Sequence, residues 1–256
     1  MAADAKQPAP GGTVDRRNLA LFSKLAAEWW DPDGSSRVLH RINPARLGYI
    51  RDAAVAHFGR DPRSRHVLAG LKALDVGCGG GLVAEPLARM GAEVVGLDAS
   101  GEAVAVARDH ARGAGLAIDY RQGEADMLAD AMPHAFDLVT CLEVVEHVAD
   151  VPLFLASLHR LLKPGGLLVF STPNRTGLSH AVMITGAERI LRVLPVGAHD
   201  WKQFLTPDEL SGQLEAAGFD VQAIAGLSWR PGKGFHISDD RSVSYLGHAV
   251  AREKVA

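Results

Sequence analysis

Short apolar segments of strand character alternate with helical periodicity through the middle of the chain. The strand-like segments cover residues 71–76, 93–97, 117–121, 136–141 and 167–172. Because helical patterns lie between most of them, they predict βαβ units and a parallel sheet with helices on both faces. Two further segments, 219–227 and 243–251, follow each other without a helix and predict an antiparallel pair at the edge. The predicted fold is a doubly wound α/β fold with a mostly parallel, seven-stranded sheet.

Two helical segments precede this sheet. Apolar residues recur at helical spacing from residue 14 to Trp30, where a Pro- and Gly-containing segment interrupts the pattern. A second helix is predicted from Pro44, which suits a first helical position, to about Phe58. We interpret residues 14–60 as a helical cap on one domain that spans 14–256. Residues 1–13, rich in Ala, Pro and Gly, are predicted to be a disordered tail.

An apolar insertion, residues 178–200, follows the fifth strand. Its segment 181–184 and residues 190–194 are mostly apolar, whereas Glu188, Arg189 and Arg192 give it a polar side. Two interpretations stay open: a helix packed on the sheet, or a surface that docks on a membrane and meets anionic headgroups through its arginines. No apolar run reaches the roughly 18 residues that indicate a membrane-spanning helix.

Charge and cysteine content limit the partners. The formal net charge is -3 and the isoelectric point about 6.4, so we expect no nucleic-acid partner. Two cysteines occur, and no Cys/His spacing resembles a structural zinc site. The sequence therefore favours a reducing, cytoplasmic setting.

A glycine-rich loop joins the first strand to a helix. Asp75 precedes Gly77 and Gly79, and Asp98 ends the second strand 21 residues after Gly77, the spacing at which an acidic side chain binds ribose hydroxyls. Leu82 stands where a dinucleotide fingerprint has its third glycine. Asp75 would repel a pyrophosphate and suits the ammonium group of S-adenosylmethionine. The alternative is that the glycines only make a tight turn.

A second polar group follows the fourth strand, at the same edge of the sheet. If this segment forms a helical turn, Glu143, Glu146 and His147 project from one side. Such a set suits either ligation of a divalent metal or removal of a proton from a hydroxyl. The alternative is that these residues hydrogen-bond the loop backbone or line an adenosine pocket.

These segments resemble known motifs. Three sets of residues resemble the successive motifs of class I methyltransferases. They are Leu74-Asp75-Val76-Gly77-Cys78-Gly79 with Asp98, Phe136-Asp137, and residues 161–166. The resemblance implies a Rossmann-like fold and S-adenosylmethionine as cofactor. More specific segments, 29–31, 40–50, 171–175 and 199–202, are similar to those of ubiquinone biosynthesis O-methyltransferases, and the likeness runs from about residue 15 to residue 249.

The resemblance implies O-methylation of polyprenyl catechols at two steps, on a 2-polyprenyl-6-hydroxyphenol derivative and on 3-demethylubiquinol. It implies cofactor contacts at Arg46, Gly77, Asp98 and Leu142, and a guanidinium such as Arg46 suits the methionine carboxylate. It also implies Mg²⁺ at the Glu143, Glu146 and His147 positions. Expected partners are the quinol substrate, peripheral lipid at the inner membrane and other ubiquinone-synthesis enzymes.

Three other functions remain as alternatives. An NAD(P)-dependent oxidoreductase is disfavoured by Asp75 and Leu82. A non-catalytic scaffold would have a broken cofactor site, whereas Asp75, the glycines and Asp98 are intact. A class I O-methyltransferase of another small hydroxylated metabolite is the nearest alternative.

Overall fold

The computed structural model describes residue 23 and residues 26–34, 36–184 and 200–253. The predicted tail, residues 1–13, and residues 185–199 of the predicted insertion lie outside the described residues. So does most of the first predicted helix, of which residues 23 and 26–30 are described, with a 3₁₀ turn at Ala26–Glu28.

Eight strands form one sheet. They are β1 Lys72–Val76, β2 Glu93–Asp98, β3 Ile118–Gln122, β4 Phe136–Leu142, β5 Leu162–Pro173, β6 Phe219–Arg230, β7 Gly234–Ser238 and β8 Ser244–Ala251. Their order is β3-β2-β1-β4-β5-β8-β6-β7, and the pairs among β1 to β5 are parallel.

The prediction of a doubly wound, mostly parallel sheet is confirmed, with one strand more than expected. The antiparallel pairing of β6 with β8 is also confirmed, but this pair does not form the edge. Strand β8 lies between β5 and β6, and the additional strand β7 folds back on β6 as a hairpin at the edge. The seven-strand prediction missed β7 because its five residues are all half-buried and show no alternation.

Helices cover both faces of the sheet. They are α1 Arg37–Phe58, α2 Ala84–Arg89, α3 Gly101–Gly113, α4 Ala125–Ala131, α5 Val151–Leu161, α6 Gly177–Ser179 and α7 Pro207–Ala216. Apolar residues of α1, α2 and α3 share one core cluster with the sheet, and those of α4, α5 and α7 share the other. Burial on both faces explains why the central strands are near-continuous apolar segments.

Helix α1 begins earlier than predicted. Pro44 was expected at its first position, but the helix starts at Arg37 and contains Pro44 in its interior. An interior proline removes one backbone hydrogen bond and costs about 3 kcal/mol in an isolated helix. Tertiary contacts offset that cost, because Ile42 and Arg46 are buried and Asn43 donates to the Leu82 carbonyl oxygen at 3.2 Å.

The described part of the apolar insertion continues α6. Residues 180–184 wind on as a π-helical segment, in which Val182 is exposed and Ile184 is buried. Within the described ranges, no helix combines the length and apolar character that crossing a membrane requires.

Candidate active site

The glycine loop leads from β1 to α2 and lies against the end of β2. Gly77 and Gly79 take positive φ angles of 70° and 51°, which favour glycine. The backbone N–H of Gly77 donates to the Leu97 carbonyl oxygen at 2.8 Å, and that of Gly79 donates to Asp98 Oδ2 at 2.8 Å. The loop is therefore held against the carboxyl end of β2, where ligands bind in open α/β sheets.

Asp98 orders this loop. Its second oxygen, Oδ1, accepts a hydrogen bond from the Ser100 backbone N–H at 2.8 Å. Burial raises the pKa of Asp98, while the hydrogen bonds from Ser100 and Gly79 oppose that rise. A carboxylate has about four lone-pair sites, so both oxygens retain acceptor capacity for ribose hydroxyls.

Asp75 is a buried carboxyl group at the start of the loop, 3% exposed. Its Oδ1 accepts from the Thr140 hydroxyl at 2.7 Å, whereas Oδ2 is buried without a hydrogen-bond partner among the described residues. Burial raises the pKa of Asp75 to about 7, and the nearby Asp98 acts in the same direction. The open oxygen is suited to accept from a cationic group, as the sequence predicts.

Arg46 approaches the loop from α1. Its Nη2 lies 2.7 Å from Glu143 Oε1, and the same oxygen accepts from the Ser171 hydroxyl at 2.7 Å. Arg46 Nε is buried without a partner among the described residues. The guanidinium therefore keeps a donor for a carboxylate while one of its arms is held by Glu143.

The segment after β4 differs from the predicted helical turn. Glu143, next to Leu142 at the strand end, has a positive φ of 56°, and only Val145–His147 forms a 3₁₀ turn. Val144 packs on the glycine loop so closely that a β-carbon on Gly77 would overlap it. The segment thus lies beside the glycine loop, but Glu143 faces Arg46 and Ser171.

Glu146 is a fully buried carboxyl group behind this turn. Its Oε2 accepts from the Thr172 hydroxyl at 2.9 Å. Its Oε1 has no hydrogen-bond partner among the described residues and lies 3.9 Å from His147 Nε2. Burial, and next the charge of Glu143, raise the pKa of Glu146 well above its usual range.

The predicted metal site is not formed in this arrangement. Over the ranges that the structure describes, no group of three or more His, Cys, Asp and Glu side chains has the geometry to hold a metal ion. The physical reason is local, because Glu143 turns towards Arg46 while Glu146 is bound to Thr172. Glu143, Glu146 and His147 as placed here do not fit Mg²⁺.

Sequence reasoning missed the hydroxyl groups that hold the carboxyl groups. Thr140 lies opposite Asp75 in the β1–β4 register, and Ser171 and Thr172 come from the end of β5. Their roles depend on which strands are neighbours and in what register, so no local pattern in the sequence marks them.

Comparison with known proteins places this site in context. Residues 74–170 match the family model described as a methyltransferase domain. The chain is 51% identical over 235 residues to the ubiquinone biosynthesis O-methyltransferase of Azorhizobium caulinodans, covering 91% of this chain and 92% of that protein. It is 47% identical over 248 residues to that of Nitrobacter winogradskyi, covering 96% and 94%.

Solved structures share the fold. A methyltransferase from Thermotoga maritima superposes with a TM-score of 0.64 at 16% identity, covering 92% of this chain and all of that one. The magnesium protoporphyrin IX methyltransferase of Synechocystis superposes with a TM-score of 0.60 at 22% identity, covering 91% and 95%. At these identities the likeness concerns the fold alone.

The first prediction concerns Asp98. Asp98→Ala removes the acceptor for ribose hydroxyls and leaves the Gly79 N–H without its partner, so S-adenosylmethionine binding should weaken by about 2 to 4 kcal/mol. Calorimetric titration measures this, with a thermal melt to verify folding and the exposed Asp119→Ala as control. Equal affinity in Asp98→Ala and the unaltered protein would remove Asp98 from the site.

The second prediction concerns pH. Because Asp75 is neutral below about pH 7 in the free protein, binding an ammonium group there requires loss of its proton. Affinity for S-adenosylmethionine should therefore rise by up to about tenfold per pH unit towards pH 7 and then level off. Asp75→Asn should abolish this rise. Calorimetry at pH 6 in two buffers of different ionisation enthalpy measures the released proton, and identical release by both proteins would contradict the assignment.

Proposed function

We propose that the chain, which belongs to the ubiquinone biosynthesis O-methyltransferase family, methylates phenolic hydroxyls of polyprenyl catechols. The two proposed substrates are a 2-polyprenyl-6-hydroxyphenol derivative and 3-demethylubiquinol. Relatives of this name are 46–51% identical over 91% or more of the chain. The observation that carries the proposal is that Oδ2 of the buried Asp75, beside the glycine loop, has no hydrogen-bond partner among the described residues. His147 lies in the turn that follows the neighbouring strand, β4. The chain is an S-adenosylmethionine-dependent O-methyltransferase, and its acceptor is what we propose.

The residues around the loop fit this cofactor. Asp75 Oδ2 is an acceptor for its ammonium group, Arg46 Nε a donor for its carboxylate and Asp98 an acceptor for its ribose. When bound, S-adenosylmethionine supplies a methyl group on a sulfonium, which is transferred by in-line displacement. The chain contributes orientation, since Gly77 and Val144 fix the loop against the segment that follows β4.

His147 is assigned as the base that takes the phenolic proton. Its Nε2 faces the unpartnered Oε1 of Glu146 across 3.9 Å. Once the ring holds the phenolic proton, the N–H at Nε2 of the imidazolium has a buried oxygen to which it can donate. Glu146, fixed by Thr172, positions this oxygen, while Glu143 holds Arg46. The proposed proton transfer uses no metal ion, because Glu143, Glu146 and His147 as placed here do not fit one.

The third prediction tests the reaction and the base together. Deletion of the gene should accumulate unmethylated polyprenyl catechols, detected by mass spectrometry, and the wild-type gene but not His147→Ala should restore the quinone. With purified protein and a soluble catechol, His147→Ala should lower kcat by roughly 10²- to 10⁴-fold and leave S-adenosylmethionine affinity unchanged.

The control for this prediction is His236→Ala, on edge strand β7. A normal kcat in His147→Ala would reject His147 as the base while leaving the acceptor assignment standing. If quinone intermediates are unchanged in the deletion strain, the acceptor is another hydroxylated metabolite.

A membrane-docking role for the insertion is part of the proposal, since a polyprenyl substrate resides in the bilayer. Leu178 and Val182, one helical turn apart, are 51% and 46% exposed. The two sides of the insertion are tied together, because Trp201 Nε1 donates to the Thr176 carbonyl oxygen at 2.9 Å and its ring contacts His180. The insertion thus leaves the domain at the carboxyl edge of β5, next to the site.

The fourth prediction follows from these two exposed side chains. Replacing Leu178 and Val182 by Ser removes apolar area that would enter the headgroup region, so sedimentation with anionic liposomes should decrease. Activity on a soluble catechol should persist. The matched control is Met127→Ser, a change at an apolar side chain 67% exposed on α4. Undiminished sedimentation of the double variant would place lipid binding elsewhere.

A further inference from the structure

Two tryptophans that precede α1 cover the glycine loop. The indole of Trp29 lies on Gly79 and Gly80 so closely that a β-carbon on either glycine would overlap the ring. Trp30 Nε1 donates to the Gly80 carbonyl oxygen at 2.8 Å. The first contact brings an aromatic ring against the segment that, with Asp98, forms the cofactor site.

The position of this tryptophan pair is fixed from two sides. The ring of Trp30 stacks on His110 of α3 at 3.4 Å between centroids and an interplanar angle of 4°. His110 Nδ1 in turn lies 2.6 Å from Oε1 of the buried Glu85. The carbonyl oxygen of Trp29 lies 2.9 Å from His40 Nε2 on α1. Trp29 is therefore held over the loop by its neighbours.

The indole nitrogen of Trp29 is the next feature that needs an explanation. Trp29 Nε1 is buried and has no hydrogen-bond partner among the described residues. An indole nitrogen is a donor only, and native proteins rarely leave a buried donor unpaired. Trp30, one residue on, does have its acceptor, so the unpaired state of Trp29 is specific to the ring that faces Gly79.

The charges of the site indicate which ligand group accepts this hydrogen bond. Asp75 and Asp98 lie at the loop and Glu143 beside it, and the guanidinium of Arg46 is already shared with Glu143. A ligand carboxylate entering this acidic site needs further donors, and a neutral N–H supplies one without the desolvation cost of another charge. The ribose hydroxyls, by contrast, have the Asp98 oxygens available.

We propose that Trp29 is a cofactor-binding residue whose Nε1–H donates to the carboxylate of the methionine moiety of S-adenosylmethionine. It acts alongside Arg46 Nε, another buried donor of the site without a partner in the described chain. The inference deepens the proposed function and rests on it only for the cofactor. Binding is measured without a methyl acceptor, so failure of the acceptor assignment leaves this test intact.

The test compares two ligands on one variant. Trp29→Phe keeps an aromatic ring over the glycines and removes the donor. Affinity for S-adenosylhomocysteine, which has the carboxylate, should fall roughly 10- to 100-fold. Affinity for methylthioadenosine, which lacks the aminocarboxypropyl group, should stay unchanged. Trp229→Phe, at an exposed position of β6, is the matched control.

Two outcomes would overturn the proposal. If Trp29→Phe binds S-adenosylhomocysteine like the unaltered protein, the indole only packs on the loop. If it loses affinity for both ligands equally, Trp29 contacts the adenosine half.

A second measurement, of indole N–H signals, is made with ligand on the unaltered protein and uses the variant only to assign one signal. The chain has four tryptophans, so the unaltered protein labelled with ¹⁵N-tryptophan has at most four indole N–H signals. The signal absent from Trp29→Phe should move downfield with S-adenosylhomocysteine and not with methylthioadenosine. The same shift with both ligands contradicts a bond to the carboxylate.

Discussion

The burial of the Asp75 carboxyl group is the constraint on which the site depends. A carboxylate placed at the end of a central strand loses its hydration, and the Thr140 hydroxyl, with a smaller contribution from the Ala84 backbone, replaces part of it. The free protein therefore keeps Asp75 neutral up to about pH 7. A bound cation reverses the balance, because it supplies the counter-charge that the protein itself lacks. The buried carboxyl group is thus suited to a positively charged ligand.

The same reasoning extends to the surrounding atoms. Nine buried side-chain polar atoms lack a hydrogen-bond partner in the described part of the chain. Three of them lie at the glycine loop, namely Asp75 Oδ2, Trp29 Nε1 and Tyr120 Oη, and two more, Arg46 Nε and Glu146 Oε1, lie at the segment that follows β4. Unpaired groups are few in native proteins and each destabilises the fold, so their concentration at one place indicates a site completed by a polar ligand. A site that offers both donors and acceptors suits a zwitterionic ligand better than a simple anion.

The central parallel strands and the glycine loop could be predicted because each has a local signature: an apolar segment, or glycines between a strand and a helix. Strand β7 could not, since its five half-buried residues gain strand structure only by pairing with β6. The helical turn after β4 failed because Glu143 adopts a positive φ and turns towards Arg46, almost a hundred residues away in sequence. The role of Thr140 could not be predicted either, because its contact with Asp75 depends on the register of β1 and β4. Sequence therefore indicates which residues carry the chemistry, and non-local contacts decide how they face one another.

The pairing of Arg46 with Glu143 links the two halves of the site. Glu143 shares Arg46 with any carboxylate that binds at Nε, and its charge is one of the causes that raise the pKa of Glu146. The charge of Glu143 stabilises a proton on Glu146 and that of Arg46 opposes it, so a change in this ion pair acts directly on the neighbouring buried carboxyl group. A single buried ion pair is enough for this coupling, because at short range in a poorly hydrated site charges are weakly screened.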